Sequence, residues 1–469
     1  MAVRTVTAEE LAQQQEACRR ISLLWEGKHP YACVTTYGCQ QNEADSERIA
    51  GMLEQMGYTL TQDQELADLI VFNTCAVREH AELKALSKTG QLKHLKVQKP
   101  SLLIVLCGCM VQQEHRMGEL KQSYPYVDAV IGTHALHRLP EILLSRITLK
   151  RRQFCIPNED GLIAEGLPIH RQPGPKAFVS VSWGCNNFCT YCVVPHVRGR
   201  ERSRQPDLIE AELRQALAQG ALDITLLGQN VNSYGHDLPQ HPDFASLLTR
   251  LANVEGNFRL RFMTSHPKDA SVRLFEAMAS SPKIMPHLHL PVQSGSSRIL
   301  RRMNRGYTKE QYLALAEQAR KTVPSLALTT DIIVGFPGET EEDFRDTLDV
   351  VEQVGFESAF TFIYSPRKGT PAADYEDQVP REVADERMAR LLKLQETVTL
   401  RRFNEQVGKT VEVLIDTADE FGCGGRTPDF KMVHIPSCTS LRPGDFASVR
   451  ITQAKLNALI GELCPRENA

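Results

Sequence analysis

Over the first third of the chain, short continuous apolar runs alternate with amphipathic stretches. Tyr31–Tyr37 is rich in β-branched and aromatic residues, Ala67–Asn73 reads A-D-L-I-V-F-N, and Leu102–Leu106 and Ala129–Ile131 are two further runs. Within Asp45–Met56, the residues Ile49, Met52, Leu53 and Met56 recur at helical spacing. Runs this short and apolar, separated by amphipathic helices, predict a parallel sheet covered on both faces. Thr148–Pro175 then turns basic and Pro- and Gly-containing, which reads as a linker.

The same rhythm resumes at larger scale. Phe178–Ser182, Asp223–Leu227, Arg259–Met263, His287–Leu290, Ala327–Val334 and Ala359–Ile363 read as strands, with helices such as Pro206–Ala218 and Gln311–Lys321 between them. Six strands with helical crossovers predict a partial (β/α)6 barrel, with its chemistry at the carboxyl ends of the strands. Glu382–Val407 reads as a long charged connecting helix. Beyond it, Val411–Ile415, Lys431–Ile435, Phe446–Thr452 and Ala458–Ile460 alternate as short strands of a small β-barrel. Gly422, Gly424-Gly425 and Pro443-Gly444 read as its turns. The expected architecture is therefore α/β: a parallel-sheet domain at 30–147, a barrel domain at 171–402 and a β-barrel at 403–467.

Composition narrows the class. With 469 residues, 42% of them hydrophobic, the chain has material for about three ordinary cores. A net charge of −3 gives no global sign of a polyanion binder, so any nucleic-acid site must be local. No apolar run approaches the about 20 residues needed to cross a bilayer, and Met1–Arg20 lacks the apolar centre of a signal peptide. Thirteen cysteines are too sparse for a disulfide scaffold. A soluble cytoplasmic protein is expected, whose clustered cysteines mean metal or catalysis.

The sharpest cluster is Cys185-Asn186-Asn187-Phe188-Cys189-Thr190-Tyr191-Cys192, directly after the first barrel strand. Its C-x3-C-x2-C spacing brings three thiols onto one loop. A [4Fe–4S] cube takes one thiolate per iron, so three ligands leave one iron open for an exchangeable group. His196 is the alternative fourth ligand of a zinc site, four residues beyond Cys192 and just after Pro195. Three other cysteines, Cys39, Cys75 and Cys109, follow predicted strands of the first domain. Loops after adjacent parallel strands converge at one edge, so these thiols can meet there, although buried structural cysteines would look the same in sequence.

The C-x3-C-x2-C loop is that of the radical S-adenosylmethionine (SAM) enzymes. Behind it come Leu290-Pro291-Val292-Gln293-Ser294-Gly295, Gly335-Phe336-Pro337-Gly338-Glu339-Thr340 and Tyr364-Ser365-Pro366-Arg367, in the order of that fold's SAM-contacting loops. Together with Tyr37–Glu43, Asn73–Glu79 and Gly108-Cys109-Met110, they make the chain resemble the methylthiotransferase family from about Tyr31 to Leu463. The resemblance implies two [4Fe–4S] clusters: Cys185, Cys189 and Cys192 for the one that binds SAM, and Cys39, Cys75 and Cys109 for an auxiliary one. Cys107 is the alternative third auxiliary ligand, while the Gly-Cys-Met pattern points to Cys109. It further implies SAM contacts at Gly228, Gln293, Ser294, Gly335, Gly338, Ser365 and Arg367.

Within the family, the first two cysteine segments look most like the group that acts on isopentenyl-adenosine at position 37 of tRNA. Gln41 stands where that group commonly has methionine, and the Pro-Lys pair usual in ribosomal-protein modifiers is absent. The resemblance implies a radical, generated from one SAM, that removes the hydrogen from C2 of the adenine, and a methylthio group, built with a second SAM, that is transferred to the resulting substrate radical. It implies an anticodon-loop substrate, a reduced electron-donor protein, a sulfur donor of unknown identity and a monomeric enzyme. Threonylcarbamoyl-adenosine, a ribosomal protein, or a non-catalytic iron–sulfur RNA-binding role are the alternatives. The carboxyl-terminal barrel resembles a TRAM domain, with Gly425–Lys431 as its characteristic loop. Arg426 and Lys431 there, and Arg198, Arg200, Arg202 and Arg204 past the cysteine loop, read either as RNA grips or as solvated charges.

Overall fold

A computed structural model describes residues 5–157, 162–436, 438 and 440–464. The chain divides into two compact units: residues 1–172, 182–186 and 192–204 form one, and residues 173–181, 187–191 and 205–469 the other.

The first unit is built on six parallel strands: β1 (Tyr31–Thr36), β2 (Thr59–Leu60), β3 (Leu69–Thr74), β4 (Leu103–Gly108), β5 (Ala129–Gly132) and β6 (Gln153–Cys155). Their order is β2-β1-β3-β4-β5-β6. Every residue of β3 and β4 is buried, as expected of strands covered on both sides. Alternation divides them between two cores: Leu69, Val71 and Val105 enter one, and Ile70, Phe72, Ile104 and Leu106 the other. The segment read as a linker is largely part of this unit. β6 extends the sheet, and Ile163 bridges Thr5. Three residues flanked by basic and Pro-containing sequence carry too little periodicity to announce a strand. Residues 158–161 of that segment lie outside the described residues, as do 437, 439 and 465–467 of the expected last domain.

The chain enters the second unit with β7 (Lys176–Ser180). It then supplies the first with β8 (Ser182–Trp183) and β9 (Arg202–Ser203), which pair antiparallel. The second unit continues with β10 (Asp223–Leu227), β11 (Arg259–Met263), β12 (His287–His289), β13 (Ala327–Val334) and β14 (Ser358–Ile363). β7-β10-β11 and β12-β13-β14 are parallel ladders, and a parallel bridge links Leu260 of β11 to Ile284, just ahead of β12. This is the expected six-stranded partial barrel, and the carboxyl ends of all its strands lie on one rim. A single apolar core runs from Ala177 to Val398.

The helix Arg381–Asn404 leads to β15 (Thr410–Asp419), β16 (Gly422–Arg426), β17 (Met432–Pro436), β18 (Phe446–Ala454) and β19 (Leu459–Leu463), closed in the order β15-β16-β17-β19-β18. Here one expectation fails: Gly422, Gly424 and Gly425 belong to a strand, not to turns. A Cβ at Gly425 would stand 2.3 Å from the Leu414 carbonyl and 2.6 Å from Val413 Cγ1; one at Gly422 would stand 2.4 Å from the Ile435 carbonyl. The closely approaching strands of a small barrel leave no room for side chains there. Among the described residues, no helix is long and apolar enough to cross a membrane.

Candidate active site

Cys39, Cys75 and Cys109 come to one edge of the first unit's sheet. Cys39 caps the amino end of the helix Gln40–Gln55 after β1, Cys75 directly follows β3, and Cys109 directly follows β4. Gly38 and Gly108, with φ of +141° and +96°, precede two of them. A Cβ at Gly38 would lie 2.7 Å from Cys75 Cβ and 3.2 Å from its Sγ; one at Gly108 would lie 2.4 Å from the Thr74 carbonyl. Glycine is what lets these loops draw the thiols together.

Burial pushes the Cys75 thiol up, and so does Cys39 beside it; the Val77 and Arg78 amides and Arg198 oppose them. Burial pushes Cys109 up to about 12; Arg198 pulls the other way, while Cys75 and Cys39 add to the rise. Such thiols stay protonated in isolation and ionise on binding a cation. Cys107 is different. Its thiol donates to the Phe72 carbonyl at 3.6 Å within the apolar core. Cys109, two residues on, is the one that faces the other thiols and Arg198.

Arg198 was expected among surface arginines, and the structure corrects this. Arg198, Arg202 and Arg204 are buried within the first unit, and only Arg200 is exposed. Arg198 Nε donates to Cys109 Sγ at 3.2 Å, and its Nη2 to Asn42 Oδ1 at 3.0 Å and Asp45 Oδ2 at 2.8 Å. Arg202 donates to the carbonyls of Arg198 and Arg200, and Arg204 grips both oxygens of Glu165 at 2.6 Å. The four arginines, two residues apart, read from sequence as RNA grips or solvated charges. Instead Arg198 ends a helix, Gly199 turns with φ +70°, and the strand begins only at Arg202.

The C-x3-C-x2-C loop contributes to both units. In the first, Cys185 follows Gly184 (φ +77°), whose Cβ would stand 2.1 Å from the Arg200 carbonyl, and the Cys185 amide donates to the Gly199 carbonyl at 3.2 Å. In the second, Cys189 is buried and accepts from Arg305 Nη1 at 3.3 Å. Arg305 Nη2 also donates to the Pro291 carbonyl at 2.8 Å, and its Nε to Tyr307 at 3.0 Å. Asn304 donates to the Asn187 and Phe188 carbonyls, and Lys268 to Asn187 Oδ1 at 2.8 Å. Thr190 is held by the carbonyls of Arg302 and Met303.

The expected SAM-contact residues stand on the same rim of the second unit. Gly228 follows β10, Gly335 and Gly338 follow β13, and Ser365 and Arg367 follow β14. Gln293 (φ +68°) bridges Ile332. Ser294 is fully buried and bonds Thr347 Oγ1. Packing already accounts for both turn glycines: a Cβ at Gly335 would meet Ala384 at 2.8 Å, and one at Gly338 would meet Asp377 Oδ2 at 2.4 Å.

The loop Gly425–Lys431 is likewise no solvent-facing grip. Lys431 is 5% exposed and pairs with Asp429; Arg426 lies over the Phe430 ring, 4.3 Å from its centroid. Phe430 stacks on His287 at 4.9 Å, and Arg261 donates to the Pro428 and Thr427 carbonyls at 2.7 and 3.0 Å.

Among the described residues, no three Cys, His, Asp or Glu side chains converge as ligands of a single ion. A cube is bound differently: each thiolate takes its own iron, so the ligands stand further apart. Cys39, Cys75 and Cys109, with their glycine cradle and buried counter-cation, fit that requirement.

Residues 179–351 match the radical SAM superfamily, residues 31–132 the uncharacterized protein family UPF0004, and residues 404–464 the TRAM domain. A tRNA-2-methylthio-N(6)-dimethylallyladenosine synthase of Caldicellulosiruptor saccharolyticus is 51% identical over 439 residues, 93% of each chain. The chain belongs to the tRNA-2-methylthio-N(6)-dimethylallyladenosine synthase family. A synthase of the same name from Acetivibrio thermocellus is 49% identical over 98% of this chain and 97% of its own. The radical SAM methyltransferase TsrM of Kitasatospora setae shares the fold, with a TM-score of 0.56 at 14% identity over 74% of this chain and 77% of its own. In this synthase-family chain, sequence reasoning missed Arg305, Asn42 and Asp45, and it read Arg198 as a surface charge. No spacing announces them: Arg198 meets Cys109 across 89 positions, and Arg305 meets Cys189 across 116.

Proposed function

We propose that this protein converts N6-isopentenyl-adenosine at position 37 of tRNA to its 2-methylthio derivative, with two [4Fe–4S] clusters and two SAM per product. The observation that carries the reading is the near full-length identity to synthases of that name, in a chain with a cysteine triplet after the first barrel strand and a second triplet at its parallel sheet's edge. Cys185, Cys189 and Cys192 would hold one cluster, and Cys39, Cys75 and Cys109 the other. Bound there, the clusters supply one-electron chemistry toward SAM and an unactivated aromatic C–H, which no acid or base in the chain can supply.

The chain's own residues position these groups. Arg305 bonds the Cys189 sulfur and ties it to the Pro291 carbonyl, while Asn304 and Lys268 fix the loop at Asn187 and Phe188. Gly228, Gln293, Ser294, Gly335, Gly338, Ser365 and Arg367 form the rim on which SAM is received. The working domains are 30–147, 171–402 and 403–467. The anticodon loop meets the last of these on a face other than Arg426–Lys431, because that loop is turned into its own unit. The enzyme acts in the cytoplasm as a monomer, fed by a reduced electron-donor protein and a separate sulfur donor. An unpaired purine is presented at less cost than a paired one. Nucleoside mass spectrometry of cells carrying Cys185→Ala tests the reading. Loss of the 2-methylthio nucleoside is expected, and its persistence would overturn it.

A further inference from the structure

Arg198 does more than balance a buried acid. It is 5% exposed, Asp45 is 6% exposed, and the two are joined at 2.8 Å through Nη2. That pair alone would satisfy the charge. Yet Nε, a second donor of the same guanidinium, is aimed at Cys109 Sγ at 3.2 Å. A neutral thiol is a weak acceptor, whereas a thiolate on a metal is a strong one. The arrangement is also held from every side. Asn42 presents Oδ1 to Nη2 because its own amide donates to the Thr74 carbonyl at 2.9 Å. Val193 and Val197, on the turn that carries Arg198, pack against Ala76 and Cys109. The Val197 carbonyl accepts from Thr133 Oγ1 at 2.5 Å.

We propose that Arg198 is a positioning residue for the cluster on Cys39, Cys75 and Cys109: its bond to the Cys109 sulfur raises that cluster's reduction potential, and Asp45 limits the rise. The inference rests on the reading of those cysteines as ligands. Reduction adds one negative charge to the cluster. A guanidinium bonded to a ligating sulfur therefore stabilises the reduced form more than the oxidised one, and hydrogen bonds to sulfur and net charge are the protein's principal controls on such potentials. The carboxylate on the same guanidinium acts with the opposite sign. In a buried setting both effects are weakly screened.

The test uses the full-length chain with Cys185, Cys189 and Cys192 changed to Ala, reconstituted anaerobically with iron and sulfide, so that one cluster remains. Its potential is read by EPR-monitored titration with dithionite. Arg198→Met is expected to lower the reduced-to-oxidised ratio at a fixed potential by about tenfold, which is about 59 mV for one electron. Asp45→Asn is expected to shift the potential in the opposite, positive direction, and Arg198→Lys to fall between Met and the parent. A residue that only supports the fold would not produce shifts of opposite sign. An Arg198→Met potential within about twofold of the parent ratio, or a negative shift in Asp45→Asn, overturns the proposal. If Arg198→Met takes up no cluster, the signs of the Asp45→Asn and Arg198→Lys shifts decide it alone. If the parent background holds no iron and gives no cluster signal, the ligand assignment itself fails, and the proposal with it.

Discussion

Changing Arg261 to Met should loosen the carboxyl-terminal barrel from the strands it rests on. Arg261 and Asp223 are each 3% exposed, with Nε 3.0 Å from both carboxylate oxygens. The same guanidinium donates to the Pro428 and Thr427 carbonyls and lies 4.9 Å from the Phe430 ring centroid. Burial pulls the pKa of Arg261 down and Asp223 holds it up, so the guanidinium's charge depends on its partner. Removing one partner of such a pair costs about 3–5 kcal/mol, because a buried charge is left uncompensated. The double change Arg261→Met, Asp223→Leu removes that charge. It should retain only the loss of the two carbonyl bonds, about 1–3 kcal/mol. Hydrogen-exchange mass spectrometry on the intact protein reads both effects. About 4 kcal/mol corresponds to roughly a thousandfold faster exchange in Lys431–Pro436 and neighbouring strands. Exchange in the single variant within about threefold of the parent would refute the reasoning, as would a double variant worse than the single.

Two further outcomes follow from the same geometry. Cys75→Ser should lower bound iron by about four atoms per chain, one cube, and abolish the 2-methylthio product. It should leave 5′-deoxyadenosine formation from SAM intact, and loss of both activities together would contradict the division of roles between the two cysteine sets. Asp343 has its carboxyl pushed up by burial, but bonds from Arg298, Ser296 and Thr340 outweigh this and hold it well below 3.8. A carboxylate depressed in the folded state contributes stability above its unfolded value, and that stability is lost as pH falls through the folded one. Asp343→Asn should therefore be less stable than the parent to urea at pH 7, with the gap closing below about pH 3.8. A gap that widens in acid would show the sign to be wrong.

The cysteine loop was legible because its chemistry depends on residue type at short spacing, which sequence records directly. The barrel strands were legible for a similar reason: Asp223–Leu227 and Arg259–Met263 largely alternate polar and apolar residues, and the structure places both at the expected residues. The glycines of β16 misled because a glycine run usually marks a turn, whereas here it marks a close approach to Val413 and Leu414. The arginines after Cys192 misled for a different reason. Charge predicts exposure only when no buried partner is available, and Asp45, Glu165 and Cys109 are far away in the chain.

The sequence by itself determined the class of chemistry: a three-thiol loop behind a barrel strand, a second dispersed set of cysteines, and a family whose members carry both. The loop is local, and the dispersed set was read through a family resemblance carried by short motifs, so no distant contact is needed to read either. Tertiary structure alone decided that Cys109 rather than Cys107 faces Cys39 and Cys75, and that Gly425–Lys431 turns inward. It also decided that a buried arginine bonds a sulfur in each cysteine set, Arg198 to Cys109 and Arg305 to Cys189. The physical reason is the same in each case. Burial and long-range pairing determine where a side chain points and what charge it meets, and they arise only when segments a hundred residues apart pack together.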